Sequence, residues 1–109
     1  MGIYNNFTSG YIGGAGWQIK RDDSNGSILE IGSGSGEHGV IFQKRFPEII
    51  WQTSDPDSLH RKSINSWIGH EELNKKMPKP LKLDVENIPW KLPWKLSQSV
   101  QGIVSINMI

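Results

Sequence analysis

The sequence contains no cysteine and no long apolar run. Without cysteine there can be no disulfide framework and no thiolate metal site, which is compatible with a reducing compartment. No stretch approaches the ~20 consecutive apolar residues that a membrane-spanning helix needs. The amino terminus lacks the basic segment followed by an apolar run that marks a signal peptide. We therefore expect a cytoplasmic protein that does not associate with a membrane.

An excess of charge of one sign is also missing. Lysine and arginine together number 12 and aspartate and glutamate 11, so the formal net charge is +1. This balance gives no electrostatic reason to expect nucleic acid or an anionic surface as partner. The histidines have no partner at metal-ligand spacing, so no metal site is predicted. The 109 residues leave room for one small domain and not for two.

Residues 1–26 differ in composition from the rest of the chain. They are rich in glycine, asparagine and serine, and their aromatic residues show neither helical nor strand periodicity. This composition predicts a poorly ordered, flexible extension, with a glycine-rich flap over a site as the alternative. The turn signal at residues 22–26 separates it from a domain at residues 27–109.

After this extension, strand patterns and helix patterns alternate. Such alternation predicts an α/β fold with a parallel sheet. Asp55 is the expected N-cap of the second helix, with Pro56 at its first position. The predicted strands are residues 28–31, 49–53, 81–84 and 102–107, and the predicted helices are residues 37–46 and 56–67.

The most informative segment joins the first predicted strand to the first helix and has the sequence EIGSGSG, residues 30–36. Glycines adopt positive φ and let the backbone approach a ligand closely. A helix start adds unpaired N–H groups and a partial positive charge. A buried strand, a glycine turn and a helix start together predict a nucleotide-like ligand.

Three further polar positions follow the other predicted strands, where ligands of open α/β sheets bind. Asp55 can accept hydrogen bonds from both ribose hydroxyls, each worth ~1.5–3 kcal/mol, or act only as a helix cap. Asp84 can accept the exocyclic amine of an adenine, with Val85 as an apolar wall, or act as a turn carboxylate. Asn107 can orient the amino-acid part of a ligand or the methyl acceptor, or be a satisfied strand-end amide.

A second ligand class stays open. Gly34, Gly36 and Gly39 match the spacing of the dinucleotide fingerprint. Their register is displaced, because the fingerprint normally begins at the first glycine after the strand, which here is Gly32. An NAD(P)-dependent oxidoreductase is therefore the alternative function.

Four sequence blocks resemble one family in one order. They are ILEIGSGSGEH at residues 28–38, WQTSDPD at 51–57, LDV at 83–85 and SINMI at 105–109. They resemble the class I S-adenosylmethionine-dependent methyltransferase-like family that includes methyltransferase-like 26. The resemblance implies a partial Rossmann-like sheet of strand order 3-2-1-4 that lacks the carboxyl-terminal strands of a class I methyltransferase.

The resemblance also implies roles for individual residues in binding S-adenosyl-L-methionine. Three glycines would line the methionine and ribose side of the cofactor, and Asp55 would hold the ribose. Asp84 with Val85 would flank the adenine. Asn107 would border the methyl acceptor, which the resemblance does not identify. The complete predicted cofactor-binding set is Glu30, Gly32, Ser33, Gly34, Gly36, Asp55, Asp84, Val85 and Asn107.

The family continues well past the fourth strand, so the chain resembles the cofactor half of a methyltransferase. The fourth strand then becomes a sheet edge, although Ile103, Val104 and Ile106 need apolar cover. We expect marginal stability or self-association through this edge. We also expect weak cofactor binding with little or no turnover. A truncated, non-catalytic product is the remaining hypothesis.

Overall fold

The computed structural model describes residues 26–105 in full and, for the backbone only, two strands at residues 7–12 and 15–20. Asn107 and Ile106 lie outside the described residues. The elements are β1 (Phe7–Ile12), β2 (Ala15–Lys20), β3 (Ser27–Ile31), α1 (Glu37–Arg45), β4 (Ile50–Gln52), α2 (Ser58–His70), α3 (Trp94–Ser99) and β5 (Val100–Ser105).

The central sheet is parallel and has the order β4-β3-β5. The predicted third strand is reduced to one parallel bridge between Leu81 and Ser54, next to β4. Its position agrees with the predicted order 3-2-1-4, but its length does not. The pairing stops because the next two groups that could continue it are bonded to side chains. The carbonyl of Asp55 accepts from Arg61, and the N–H of Asp57 donates to the carboxylate of Asp55.

Both faces of the sheet are covered. Ile28 and Leu29 are adjacent in β3 and completely buried, and they belong to two different apolar clusters. This follows from the alternation of side chains along a strand. The first cluster contains residues of α1 and α2, and the second contains Leu96 of α3 and the segment around Leu83. The sheet is therefore the middle layer of an α/β fold.

Gln43, a buried polar residue of α1, fixes the connection between α1 and β4. Its amide nitrogen donates to the carbonyl oxygens of Ile49 at 2.6 Å and Phe46 at 3.3 Å. Its oxygen accepts the backbone N–H of Trp51 at 2.8 Å. The predicted helix 37–46 is confirmed, with Phe46 as its C-cap.

The predicted start of α2 is wrong. The N-cap is Asp57, whose carboxylate accepts the N–H of Leu59 at 2.8 Å, and the helix begins at Ser58. Asp55 cannot serve as the cap because its carboxylate accepts hydrogen bonds from the N–H groups of Gly34 and Asp57 instead. The helix also continues to His70, three residues beyond the predicted end.

An antiparallel hairpin of β1 and β2 stands where our sequence analysis predicts no regular element. Its register runs from Phe7 opposite Lys20 to Ile12 opposite Ala15. The residues between the strands are two glycines, a favoured hairpin connection, and the aromatic residues have high strand propensity. The division into an extension at residues 1–26 and a domain at 27–109 stays a prediction.

The segment before β5 also contains an unpredicted element. The sequence Pro-Trp-Lys-Leu occurs at residues 89–92 and again at 93–96. Pro93 is the N-cap of α3, so the helix begins in the second copy. Leu96 anchors α3 by packing in the same cluster as Leu29. Among the helices of the described residues, none combines the length and apolar character needed to cross a membrane.

Candidate cofactor site

The loop between β3 and α1 has the backbone conformation that its glycines predict. Gly32, Gly34 and Gly36 have φ angles of +62°, +60° and +95°. A Cβ atom added at Gly32 or Gly34 would meet no atom within 4 Å. The space in front of these two glycines is therefore open to a ligand.

Gly36 and Gly39 have a different function, which is close packing. A Cβ atom on Gly36 would lie 2.8 Å from the Cα of Ile64, in α2. One on Gly39 would lie 2.9 Å from the Cγ2 of Thr53. The spacing that resembles the dinucleotide fingerprint thus includes two glycines that let α1 and its loop pack closely against the neighbouring elements.

Ser33 ties the glycine loop to the end of β4. Its backbone N–H donates to the carbonyl of Ser54 at 2.8 Å, and its hydroxyl oxygen accepts the N–H of Ser54 at 3.0 Å. The Ser54 hydroxyl in turn donates to the carbonyl of Glu30 at 2.6 Å. These bonds hold the carboxyl ends of β3 and β4 together.

Asp55 lies directly behind the glycine loop. It is only 5% exposed, and its Oδ2 accepts the N–H of Gly34 at 2.9 Å. Its Oδ1 accepts the N–H of Asp57 at 2.9 Å and lies 3.1 Å from Nδ1 of His60. Burial alone would raise the pKa of Asp55, but the hydrogen bonds from Asp57, Gly34 and His60 hold it below its ordinary value. The site therefore contains a carboxylate that is ionised at neutral pH.

His60 and Arg61 support this turn from the first part of α2, and our sequence analysis assigns neither a role. Nη1 of Arg61 donates to the carbonyl oxygens of Asp55 and Pro56, both at 2.9 Å. His60 stands five residues after Asp55, one helical turn past the cap. This spacing indicates that His60 lies near Asp55 only if the start of α2 is known to be Ser58.

The side chain of Glu30 lies beneath the glycine loop, away from solvent. It is 1% exposed, and its Oε1 accepts the indole N–H of Trp51 at 3.0 Å. The same oxygen would lie 3.1 Å from a Cβ atom on Gly39. Burial raises the pKa of Glu30 to about 7, although its hydrogen bonds with Trp51 and Ser33 oppose this shift. The side chain of Glu30 thus lies between Trp51 and α1, with Ser33 of the loop as a further partner.

Asp84 lies beyond the single bridge at Leu81, at the same end of the sheet as the glycine loop. The backbone N–H of Asp55 donates to the carbonyl of Leu81 at 3.0 Å, which joins the two segments. The carboxylate of Asp84 accepts the N–H of Glu86 at 3.0 Å, so it also forms the predicted turn. The next residue, Val85, is exposed.

A groove of about 410 Å³ runs between Pro56 and the segment at residues 82–91. Asp84 and Trp90 line it, together with the side chains of Lys82 and Lys91. The glycine loop, Asp55 and Asp84 thus lie at the same end of the sheet. Within the described part of the chain, no cluster of three or more histidine or acidic side chains could hold a metal ion.

Comparison with known families gives a match over residues 18–109 to the model described as "Protein of unknown function (DUF938)". The chain belongs to this family. The match includes the glycine loop, Asp55 and Asp84, and it begins within β2.

The fold is also similar to that of a solved Methanococcus maripaludis protein, named as a candidate S-adenosyl-L-methionine-dependent methyltransferase. The TM-score is 0.60 at 23% identity, and the match covers 75% of this chain and 34% of that protein. The chain therefore spans about a third of that protein's length. The similarity confirms the predicted fold, a partial Rossmann-like α/β domain. The closer resemblance to the proteins around methyltransferase-like 26 stays a prediction.

Proposed function

We propose that this chain binds S-adenosyl-L-methionine across its glycine loop, as the cofactor-binding part of a methyltransferase. The observation that supports this most is the hydrogen bond from the Gly34 N–H to the buried carboxylate of Asp55. It joins a loop with open space in front of it to an ionised acceptor at the next strand end. These are the two features that an adenosyl ligand needs.

The residues fit the cofactor in size and chemistry. Gly32 and Gly34 would let the backbone approach the methionine and ribose, and Asp55 would accept from the ribose. Asp84 borders a groove of about 410 Å³, enough for an adenine, and offers it a carboxylate acceptor. Asn107 on the acceptor side stays a prediction from the sequence.

When bound, the cofactor would supply a methyl group already activated on a sulfonium. The protein's part is then to bind, orient and exclude water, so no acid–base pair is needed for a good nucleophile. We propose weak cofactor binding and little turnover for this chain by itself. The methyl acceptor is outside the proposal.

Isothermal titration calorimetry with S-adenosylmethionine and S-adenosylhomocysteine tests the proposal. We expect Asp55→Ala to weaken binding about 10- to 100-fold, because a charge-assisted hydrogen bond is worth ~1.5–3 kcal/mol. Glu48→Ala is the control, since it removes an exposed carboxylate outside the glycine loop and the Asp55 turn. Absence of heat with folded wild-type protein would contradict the proposal.

An NAD(P)-dependent oxidoreductase domain is the second candidate. The close approach of Gly39 to Thr53 favours it, because helix–strand packing is the role of the third fingerprint glycine. A fluorescence titration with NADH and NADPH separates the two candidates. Saturable binding of a reduced nicotinamide cofactor, with none of S-adenosylhomocysteine, would favour the oxidoreductase.

A further inference from the structure

We propose that His60 competes with a ribose hydroxyl for Asp55 and so sets how many hydroxyls the site can recognise. This inference rests on the proposed function. Nδ1 of His60 lies 3.1 Å from Oδ1 of Asp55 and 4.0 Å from Oδ2 of Asp57. The imidazole thus occupies one acceptor position on the carboxylate that the ribose would use.

The number of acceptor positions on Asp55 is limited. A carboxylate offers about four lone-pair sites. Three donors already use them: the N–H of Gly34 on Oδ2, and the N–H of Asp57 and the imidazole on Oδ1. One position on Oδ2 remains. Two ribose hydroxyls need two positions, so one of the present donors must leave before both can bind.

His60 is the donor that can leave at the least cost. The N–H of Gly34 is fixed by the loop that Ser33 and Ser54 hold to β4, and the N–H of Asp57 is fixed at the N-cap of α2. The side chain of His60, in contrast, is 50% exposed, while that of Asp55 is 7% exposed. A rotation of His60 into solvent frees Oδ1 without moving the backbone.

Binding measurements with three ligands test this proposal: S-adenosylhomocysteine and its 2′-deoxy and 3′-deoxy analogues. We expect His60→Ala to tighten binding of S-adenosylhomocysteine about three- to tenfold, the size of one net hydrogen bond that no longer has to be displaced. At least one deoxy analogue should bind wild type and His60→Ala equally, since it needs only the position already free.

Two variants control for indirect effects. His60→Asn places an amide nitrogen where the imidazole has Nδ1, so it should restore wild-type affinity. His70→Ala removes an exposed histidine from the far end of α2 and should change nothing. Thermal melts of each variant confirm that it is folded.

The outcomes separate the two proposals. If wild type binds no S-adenosylhomocysteine, the proposed function is wrong and the role of His60 falls with it. If wild type binds but His60→Ala leaves affinity unchanged or weakens it, only the competition is wrong. If His60→Ala increases the affinity equally for all three ligands, the proposed competition is also wrong, because the effect would be independent of the ribose hydroxyls.

Discussion

At the scale of single residues, two buried carboxyl groups near the glycine loop have pKa values that are shifted in opposite directions. Asp55 accepts two backbone N–H groups, and its pKa is lowered. Glu30 accepts one indole N–H in a site that excludes water, and its pKa is raised to about 7. Burial opposes the charged form at both residues: at Glu30 it outweighs the hydrogen bonds, whereas at Asp55 the hydrogen bonds from Asp57, Gly34 and His60 outweigh it.

Glu30 should make the stability of the protein depend on pH. Its pKa rises from 4.5 to about 7 on folding, so its contribution is fully present below pH 4.5 and is lost as the pH rises through 7. The expected loss is about 3 kcal/mol in the free energy of unfolding. Glu30→Gln keeps an acceptor for Trp51 and removes the titration, so urea unfolding at pH 5 and pH 8 should differ less than in wild type.

Glu37→Gln is the control, because Glu37 is an exposed acid in the first turn of α1. It should preserve the wild-type pH dependence. Asp55 does not interfere, because its lowered pKa affects stability only below about pH 4. A wild-type slope in Glu30→Gln would show that Glu30 is ionised in the folded protein.

At the scale of elements, β5 is the end of the parallel sheet in the described part of the chain. It pairs with β3, and β2 lies close to it. Val104 is buried as expected, whereas Ile103 is 55% exposed. An exposed apolar side chain on an end strand favours contact with another molecule.

We propose self-association through this part of β5. Ile103→Lys should shift the protein towards monomer, because a charge on the strand opposes edge contacts. Size-exclusion chromatography with light scattering over a range of concentrations measures this. Leu59→Lys, which alters an exposed apolar residue of α2, should leave the molar mass in solution as it is in wild type. A wild-type protein that stays monomeric at every concentration would contradict the proposal.

At the scale of the whole molecule, the sequence predicts the layers because they depend on patterns that a chain displays locally. The glycine loop with its strand and helix is one example, and the convergence of Gly34 and Asp55 follows from parallel strand ends. The pairing at Leu81 is shorter than the predicted strand, because the next pairing groups of the neighbouring chain, the carbonyl of Asp55 and the N–H of Asp57, are bonded to side chains.

The features that the sequence does not predict depend on contacts between residues far apart in the chain or on the conformation of the backbone. The hairpin of β1 and β2 has no alternating pattern, and α3 is a short helix that begins directly after a proline. The choice of Asp57 over Asp55 as the cap depends on the N–H of Gly34, 21 residues earlier in the chain. The position of His60 in the site follows from that choice.

The central claim is that an adenosyl ligand binds between the glycine loop and the ends of β3 and β4. A ¹H–¹⁵N correlation spectrum of the protein, recorded during titration with S-adenosylhomocysteine, tests it most directly. The amide signals of Gly32 and Gly34 should shift in a saturable way, while that of Gly69, near the far end of α2, should not move. Saturable shifts confined to residues outside the glycine loop and the Asp55 turn would contradict the account.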